Sequence, residues 1–420
     1  MYILILGFTI VVDYYVGLFL EQQQDLTKKK FILFASIIVN VGVLCIFKYF
    51  NFINENISGL LHYIGISNPI PFLKIILPIG LSFHTFQAMS YTIEVYRGNQ
   101  KAEKHFGYYA LYVMFYPQLV AGPIERPQHI LHQLHENHSF SFENMRRGIS
   151  LILFGLVKKV VIADRLAFYV DDVYHHIGEM SFIPTLLAVF FFSIQIYCDF
   201  SGYSDIALGT ARCMGIDLMQ NFNYPYRATS IADFWRRWHI SLSTWFRDYL
   251  YFPLGGSRVT TIVTIRNVLI VFVISGIWHG ASWTFVVWGL LHAIFQVTEL
   301  VRNKYLPWFR LQNKFLAQTF IFLLVSVTWI FFRASNFKQA LQVFKNLFAV
   351  KIDLHLTEIT ANKGPYNLVL CFGALLLLYV MQNIPTNIYK TNTITSWVCA
   401  CLLLIILGKN NAAQFIYFQF

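Results

Sequence analysis

An all-α, polytopic transmembrane helical bundle is the fold class this sequence predicts, and three observations predict it. Of 420 residues, 56% are hydrophobic and 18% aromatic. Only 13% are charged, against roughly 25% in a soluble domain, and mean hydropathy is +0.53. Apolar stretches close to the ~20 residues that carry a helix across the hydrocarbon core recur from end to end. A soluble protein is excluded. The 32 Lys+Arg and 21 Asp+Glu give a net charge of +11. The basic residues sit in short loops between apolar stretches, so the charge argues for membrane topology and not for a nucleic-acid partner. Six cysteines (Cys45, Cys198, Cys213, Cys371, Cys399, Cys401) form no CxxC pair and read as small buried hydrophobes.

Met1 to Leu20 is a first span despite Asp13. No basic region precedes it and no small-residue cleavage site follows, so it is not a signal peptide. The loop Glu21 to Lys30 ends in three lysines, Phe31 to Phe50 is a second span, and the connector Asn51 to Pro71 is nearly free of basic residues. The first loop is therefore cytosolic and the second external. A third span runs from Leu73 to about Tyr96 and returns to Arg97, Lys101 and Lys104. Gly107 to Gly122 has only 16 residues and ends among prolines, which predicts a re-entrant or partial helix. Leu151 to Val170, broken by Lys158, Lys159, Asp164 and Arg165, belongs at the interface or in the bundle interior. Phe182 to Tyr197, Ile262 to Glu299, Phe315 to Phe332, Tyr366 to Gln382 and Ile394 to Leu407 complete roughly nine to eleven membrane segments in a single domain spanning 1–420.

Chemistry concentrates in two places. The run Ile262 to Glu299 is 38 residues, too long for one span, and is broken by Gly276, Gly280 and the polar pair Ser275 and Ser282 around Ile277-Trp278-His279. It predicts a hairpin or broken helix. Arg266 to Trp278 covers ~18 Å at helical rise, which places His279 inside the membrane. An ionisable side chain at that depth is a functional candidate, and a neutral imidazole can take a proton from a hydroxyl and return it. The alternative is a histidine hydrogen-bonded in the bundle core.

The second place is Ser230 to Phe252. Ser230 and Asp233 fit an S-x-x-D capping box. On a continuous helix Phe234, Trp235, Trp238, Leu242, Trp245, Phe246 and Tyr249 gather on one arc ~120° wide, which predicts an amphipathic helix at the membrane surface or capping the bundle. His239 lies at the edge of the aromatic arc. Arg236 and Arg237 could hold phosphates of an anionic ligand, or snorkel to the interface. The series His129, His132, His135, His138 drifts ~60° per step on a helix and contains no Cys, so it predicts a solvated loop or interfacial helix and no metal. Cys198, within the polar stretch Tyr197 to Asp205, has no basic partner close in sequence, which argues against a nucleophile.

At these residues the sequence resembles the membrane-bound O-acyltransferase (MBOAT) family, and within it the alginate O-acetylation subfamily that modifies exported polysaccharides. The matching segments are Val12-Asp13-Tyr14-Tyr15-Val16-Gly17, Pro78 to Gln87, Pro117 to Pro127, Asp199-Phe200-Ser201-Gly202-Tyr203-Ser204-Asp205, Asn221 to Tyr226, Asp233-Phe234-Trp235-Arg236-Arg237-Trp238-His239-Ile240-Ser241-Leu242-Ser243, and Gly276-Ile277-Trp278-His279-Gly280. The resemblance implies that His279 is the family's catalytic histidine. Many members carry an Asn where this chain has His239; the alginate-like branch has a histidine there, so His239 carries over as the second active-site residue. One or two spans that precede the Asp13 motif in the subfamily are expected to be absent.

The function so implied is O-acyl, and specifically acetyl, transfer in the cytoplasmic (inner) membrane of a bacterium. No cofactor is expected; acyl-CoA (acetyl-CoA) is the donor substrate and reaches the site from the cytosol. An extracytoplasmic partner protein completes transfer to a polysaccharide acceptor. Catalytic candidates are His279 and His239, and substrate-binding candidates are Trp278, Arg236, Arg237, Trp238 and Ser275. The competing reading is a transporter or flippase with intramembrane histidines in its pathway. Against it, the Ile262 to Glu299 hairpin has no second copy of the kind paired broken helices would give. A metalloprotease is weaker still, because no HExxH occurs.

Overall fold

Long apolar runs with few Pro or Gly breakers can satisfy their backbone polar groups only within themselves when water is excluded, and the chain does this by helices. The computed structural model describes residues 2–74, 78, 80–308, 311–349, 359–361, 364–383, 393–408 and 415–416. Among the described residues, seven helices are long and apolar enough to cross a membrane. The protein is a polytopic helical membrane protein. Counting apolar stretches alone gave more segments because it included charged or short ones. Ile394–Leu407, for instance, is apolar but short.

The chain divides into two compact units, Met1–Met145 with Thr210–Met219, and Arg146–Gly209 with Gln220–Phe420. The first holds α1 (Tyr2–Gln22), α2 (Leu26–Leu44), a π-helical turn (Cys45–Tyr49) leading into α3 (Phe50–Tyr63), α4 (Leu81–Arg97), α5 (Phe106–Met114) and α6 (Pro127–His135). Asp25 caps α2 by accepting from the Thr27 N–H at 2.8 Å. Within an apolar core that includes Ile10, Leu20, Val95 and Ile130, the contact between α1 and α2 is polar. Asp13 of α1 accepts from Ser36 Oγ at 2.6 Å and from Asn40 Nδ2 at 3.0 and 2.8 Å, both on α2, which meets the need of a buried carboxylate for donors. The rings of Tyr91 and Tyr109 pack at 4.5 Å.

Two sequence expectations change here. The stretch counted from Leu73 becomes helical at Leu81, with residues 75–77 and 79 lying outside the described residues. The connector expected from Asn51 to Pro71 is helix as far as Tyr63, because Asn and Glu do not stop a helix. Gly65, at φ 77°, follows the end of α3. Asn51 Nδ2 donates to Leu73 O at 2.8 Å and Asn54 Nδ2 to Ile70 O at 3.1 Å, so these polar residues tie down the returning chain.

The second unit is built on α7 (Phe142–Leu156), a π-helical turn (Val157–Ala163), α8 (Asp164–His175) and α9 (Phe182–Cys213, in this unit through Gly209). The predicted span ending at Tyr197 thus runs on through the polar Tyr197 to Asp205 stretch. That continuation is possible because the polar groups are paired. Lys158 Nζ meets Asp205 at 2.6 Å, and Lys159 Nζ meets Asp164 at 2.8 Å and Asp199 at 2.7 Å. Burial alone would lower the Lys159 pKa, but the Asp199 and Asp164 carboxylates hold it above its ordinary value.

Then come α10 (Ile231–Trp235), α11 (Ile240–Phe246), α12 (Thr261–His279), α13 (Trp283–Tyr305), α14 (Lys314–Arg333), α15 (Phe337–Phe348), α16 (Pro365–Asn383) and α17 (Thr393–Leu407). The predicted hairpin is α12 and α13, joined by Gly280 to Ser282, whose Ser282 Oγ accepts the Thr284 N–H at 3.3 Å. The two helices approach closely because Gly276 and Gly289 face each other. A Cβ on Gly276 would meet Phe285 O at 2.3 Å, and one on Gly289 would meet Phe272 O at 2.3 Å.

Candidate active site

All of the site belongs to the second unit. It begins at a break in the chain: the single amphipathic helix expected from Ser230 to Phe252 is instead α10, four non-helical residues, α11 and a π-helical turn (Arg247–Tyr251). Ser230 does cap α10, accepting from the Asp233 N–H at 3.0 Å, but Asp233 accepts from the Thr229 N–H at 3.4 Å and pairs with Arg237 at 2.9 Å. At the break His239 takes φ 43°, ψ 56°, a left-handed conformation that a non-glycine residue adopts only where its surroundings impose it. Those surroundings are hydrogen bonds to the preceding segment. Ile240 N–H donates to Asn221 O at 2.9 Å, Ser241 Oγ to Asn221 Oδ1 at 2.7 Å, and Asn223 N–H to Arg237 O at 3.0 Å. The apolar arc survives because Phe234 before the break, Trp238 within it and Leu242, Trp245 and Phe246 after it are all buried.

His239 is fully buried, its ring 4.6 Å from Phe200 and 6.3 Å from Trp278 by centroids. Burial pushes its pKa down to about 3, so the imidazole is neutral at physiological pH. His279 ends α12 at 5% exposure, with ring centroids of Trp278 at 5.0 Å, Trp288 at 4.9 Å and Phe332 at 5.3 Å. Trp278 is therefore a ring neighbour of both imidazoles.

A cavity of about 580 Å³ is walled by α10 and α11 on one side and α12 and α13 on the other, and neither His239 nor His279 is among its lining residues. Trp235, Ile240, Phe246, Phe272 and Ser275 line it, with Arg236 and Arg247 as its cationic residues. Ile240 follows His239 in the chain and Ser275 stands one turn before His279. An apolar chamber with guanidinium groups in its wall can take a molecule that is part hydrocarbon and part anion.

Comparison with known proteins decides the family. The profile of MBOAT, the membrane-bound O-acyltransferase family, matches residues 11–332. The chain belongs to the membrane-bound O-acyltransferase family. This O-acyltransferase is 34% identical to the peptidoglycan O-acetyltransferase of Helicobacter pylori over 100% of the chain and 88% of that relative. It is 38% identical to a protein of Azotobacter vinelandii named "Probable alginate O-acetylase AlgI" (82% of the chain, 67% of the relative) and 39% identical to its Pseudomonas aeruginosa namesake (76% and 60%).

In this O-acyltransferase the residues singled out from sequence take different places. Ser275 and Arg236 line the cavity, Trp278 contacts both imidazoles, and Arg237 is committed to Asp233 and, at 3.4 Å, to Asn223 O. Trp238 packs between Phe234 (5.5 Å, stacked) and Trp329 (5.0 Å) and does not line the cavity. The four histidines of the His129 series, in the first unit, each have a separate partner. His129 bonds to Glu125 at 2.7 Å, His132 to Gln128 O at 3.2 Å, His135 to Glu103 at 2.7 Å and His138 to Gln133 O at 2.7 Å. Cys198 is buried, and the basic group in its electrostatic reach, Lys158, is paired with Asp205. Sequence reasoning missed His292 of α13, fully buried between α10 and α14. Its signal was available: it lies 13 residues past His279, on the returning helix of the same hairpin.

Proposed function

We propose that the protein acetylates hydroxyls of an exported or cell-surface polysaccharide from a cytosolic acetyl-CoA donor, with His279 as general base. The observation that carries this is the buried His279 at the hairpin turn, one turn beyond a Ser275 that lines an apolar cavity flanked by Arg236 and Arg247. The family's O-acyltransferase chemistry and the relatives named for peptidoglycan and alginate acetylation support it. His279 accepts the proton of the acceptor hydroxyl as its oxygen attacks the thioester carbonyl. The new C–O bond replaces the C–S bond, and the proton passes to the departing thiolate. A covalent acyl-enzyme relay is the other route. His239, neutral and beside Trp278, is the second active-site residue. Arg236 holds donor phosphates, and Trp278 and Ser275 shape the site.

On this reading 1–420 is one integral-membrane domain of the bacterial inner membrane. The basic flanks Arg236 to Arg258 and Arg302 to Lys314 put the open end of the hairpin on the cytosolic side, where the donor enters. The acceptor hydroxyl arrives from outside, and an extracytoplasmic partner protein completes transfer to the polysaccharide. Purified protein should release CoA from acetyl-CoA, with His279→Ala inactive and His239→Ala impaired while both remain folded. A folded, fully active His279→Ala defeats the assignment of the base. No release by wild type, even with membrane extract supplying acceptor and partner, favours the transporter or flippase reading.

A further inference from the structure

We propose that His292 is a positioning residue that fixes the Trp235 indole as the wall between the cavity and the layer around His279. The argument starts from the direction of two hydrogen bonds. Trp235 Nε1 lies 3.3 Å from His292 Nδ1, and an indole nitrogen can only donate, so Nδ1 is the accepting, unprotonated nitrogen. On the other side His292 Nε2 lies 2.9 Å from Thr328 Oγ1. That hydroxyl donates its own proton to Val325 O at 2.7 Å, so it accepts from His292. His292 is thus locked as the neutral Nε2–H tautomer with both nitrogens committed. A protonated imidazole has two donors and no acceptor, and would have to release Trp235.

What this bond holds matters because α10 cannot hold it alone. The helix is five residues long and runs straight into the break at His239. Trp235 lines the cavity, and its ring sits 5.3 Å from Phe272 and 5.8 Å from Trp288; Trp288 in turn lies 4.9 Å from His279. His292, on the 23-residue α13, therefore ties the movable wall of the cavity to the hairpin that carries His279. It does not itself line the cavity; it reaches the cavity through Trp235. Its role in donor selection rests on the reading of the cavity as the acyl-donor site; the bond to Trp235 does not.

The test has two arms on the full chain in detergent. With ¹⁵N-labelled tryptophan, the nine indole N–H signals are recorded and the one lost in Trp235→Phe is assigned to Trp235. His292→Phe should shift that signal upfield, and His292→Asn, whose Oδ1 replaces Nδ1, should largely restore it. With thioester donors of increasing acyl length, His292→Phe should raise KM for acetyl-CoA by ~5–10-fold and admit longer chains, leaving the pH midpoint of kcat unchanged, and His292→Asn should recover most of the selectivity. An unmoved Trp235 signal in His292→Phe overturns the proposal. So does unaltered KM and chain-length preference, or a loss of kcat with a displaced pH midpoint, which would make His292 catalytic. If wild type turns over no thioester, the acyl-CoA reading fails, and the indole signal alone decides whether His292 holds Trp235.

Discussion

Substituting Gly276 by alanine probes whether the close approach of α12 and α13 sets the position of His279. The added Cβ would stand 2.3 Å from the carbonyl oxygen of Phe285, whereas real Cβ contacts essentially never fall under 3.0 Å. The obstacle is backbone, so no rotamer change relieves it, and the helices must part by at least ~0.7 Å. Overpacking of this kind costs ~1–3 kcal/mol. The same movement carries His279, one turn away, out of register with the rings of Trp288 and Phe332, and a displacement of order 1 Å at a reacting group costs ~10²-fold in rate. Gly289→Ala meets Phe272 O at the same 2.3 Å and should behave alike. Gly373→Ala in α16, with nothing within 4 Å of the new Cβ, should be neutral or stabilising by up to ~1 kcal/mol. Thermal unfolding in one detergent and thioester turnover measure both effects. If Gly276→Ala melts with the Gly373→Ala control and turns over at the wild-type rate, neither the packing nor the positional argument stands.

Three further outcomes are expected. Lys159→Met leaves the buried carboxylates of Asp164 and Asp199 without their shared cation and should cost ~3–5 kcal/mol in chemical denaturation, with Asp199→Asn added to it recovering part of the loss. His129 has its pKa raised above 6.5 by its hydrogen bond to Glu125, so the stability it adds is complete below about 6.5 and is lost as pH rises through the raised value. Glu125 also accepts from the Met219 N–H, so hydrogen exchange at Met219, normalised for intrinsic rate, should accelerate across that window in wild type and not in His129→Gln. His239, with a pKa near 3, is neutral throughout, so the pH–rate profile between 5 and 8 should show no limb that His239→Asn removes.

Much of this architecture was legible because bilayer burial writes itself into composition. The α12 and α13 hairpin followed from a run too long for one span with Gly276 and Gly280 at its middle, and the structure turns at Gly280 to Ser282. What could not be read was where helices fail to stop and where they fail to continue. Asn51, Asn54 and Glu55 look like a loop, yet they lie in α3, because Asn51 and Asn54 find carbonyl partners in the returning chain. The aromatic periodicity from Phe234 to Phe246 looks like one helix, yet four residues step out of it. Periodicity records which side chains are buried, and these remain buried through the break. The break is specified by Asn221, more than a dozen residues upstream, whose bonds to Ile240 and Ser241 no local pattern reveals.

The same limit explains why histidines are hard to sort from sequence. Burial does not separate them, since His239, His279 and His292 are 0%, 5% and 0% exposed. Hydrogen-bond direction does separate one. An imidazole whose Nδ1 must accept from an indole and whose Nε2 must donate to a committed hydroxyl has no lone pair left for a substrate proton, so His292 is excluded as a base by chemistry alone. The bland reading of an intramembrane histidine, a side chain satisfied within the core, thus has a definite holder in this unit. That assignment is specific to His292: the same test of hydrogen-bond direction has to be met by each buried histidine in turn, and for the proposed base the decisive comparison is His279→Ala against wild type in thioester turnover.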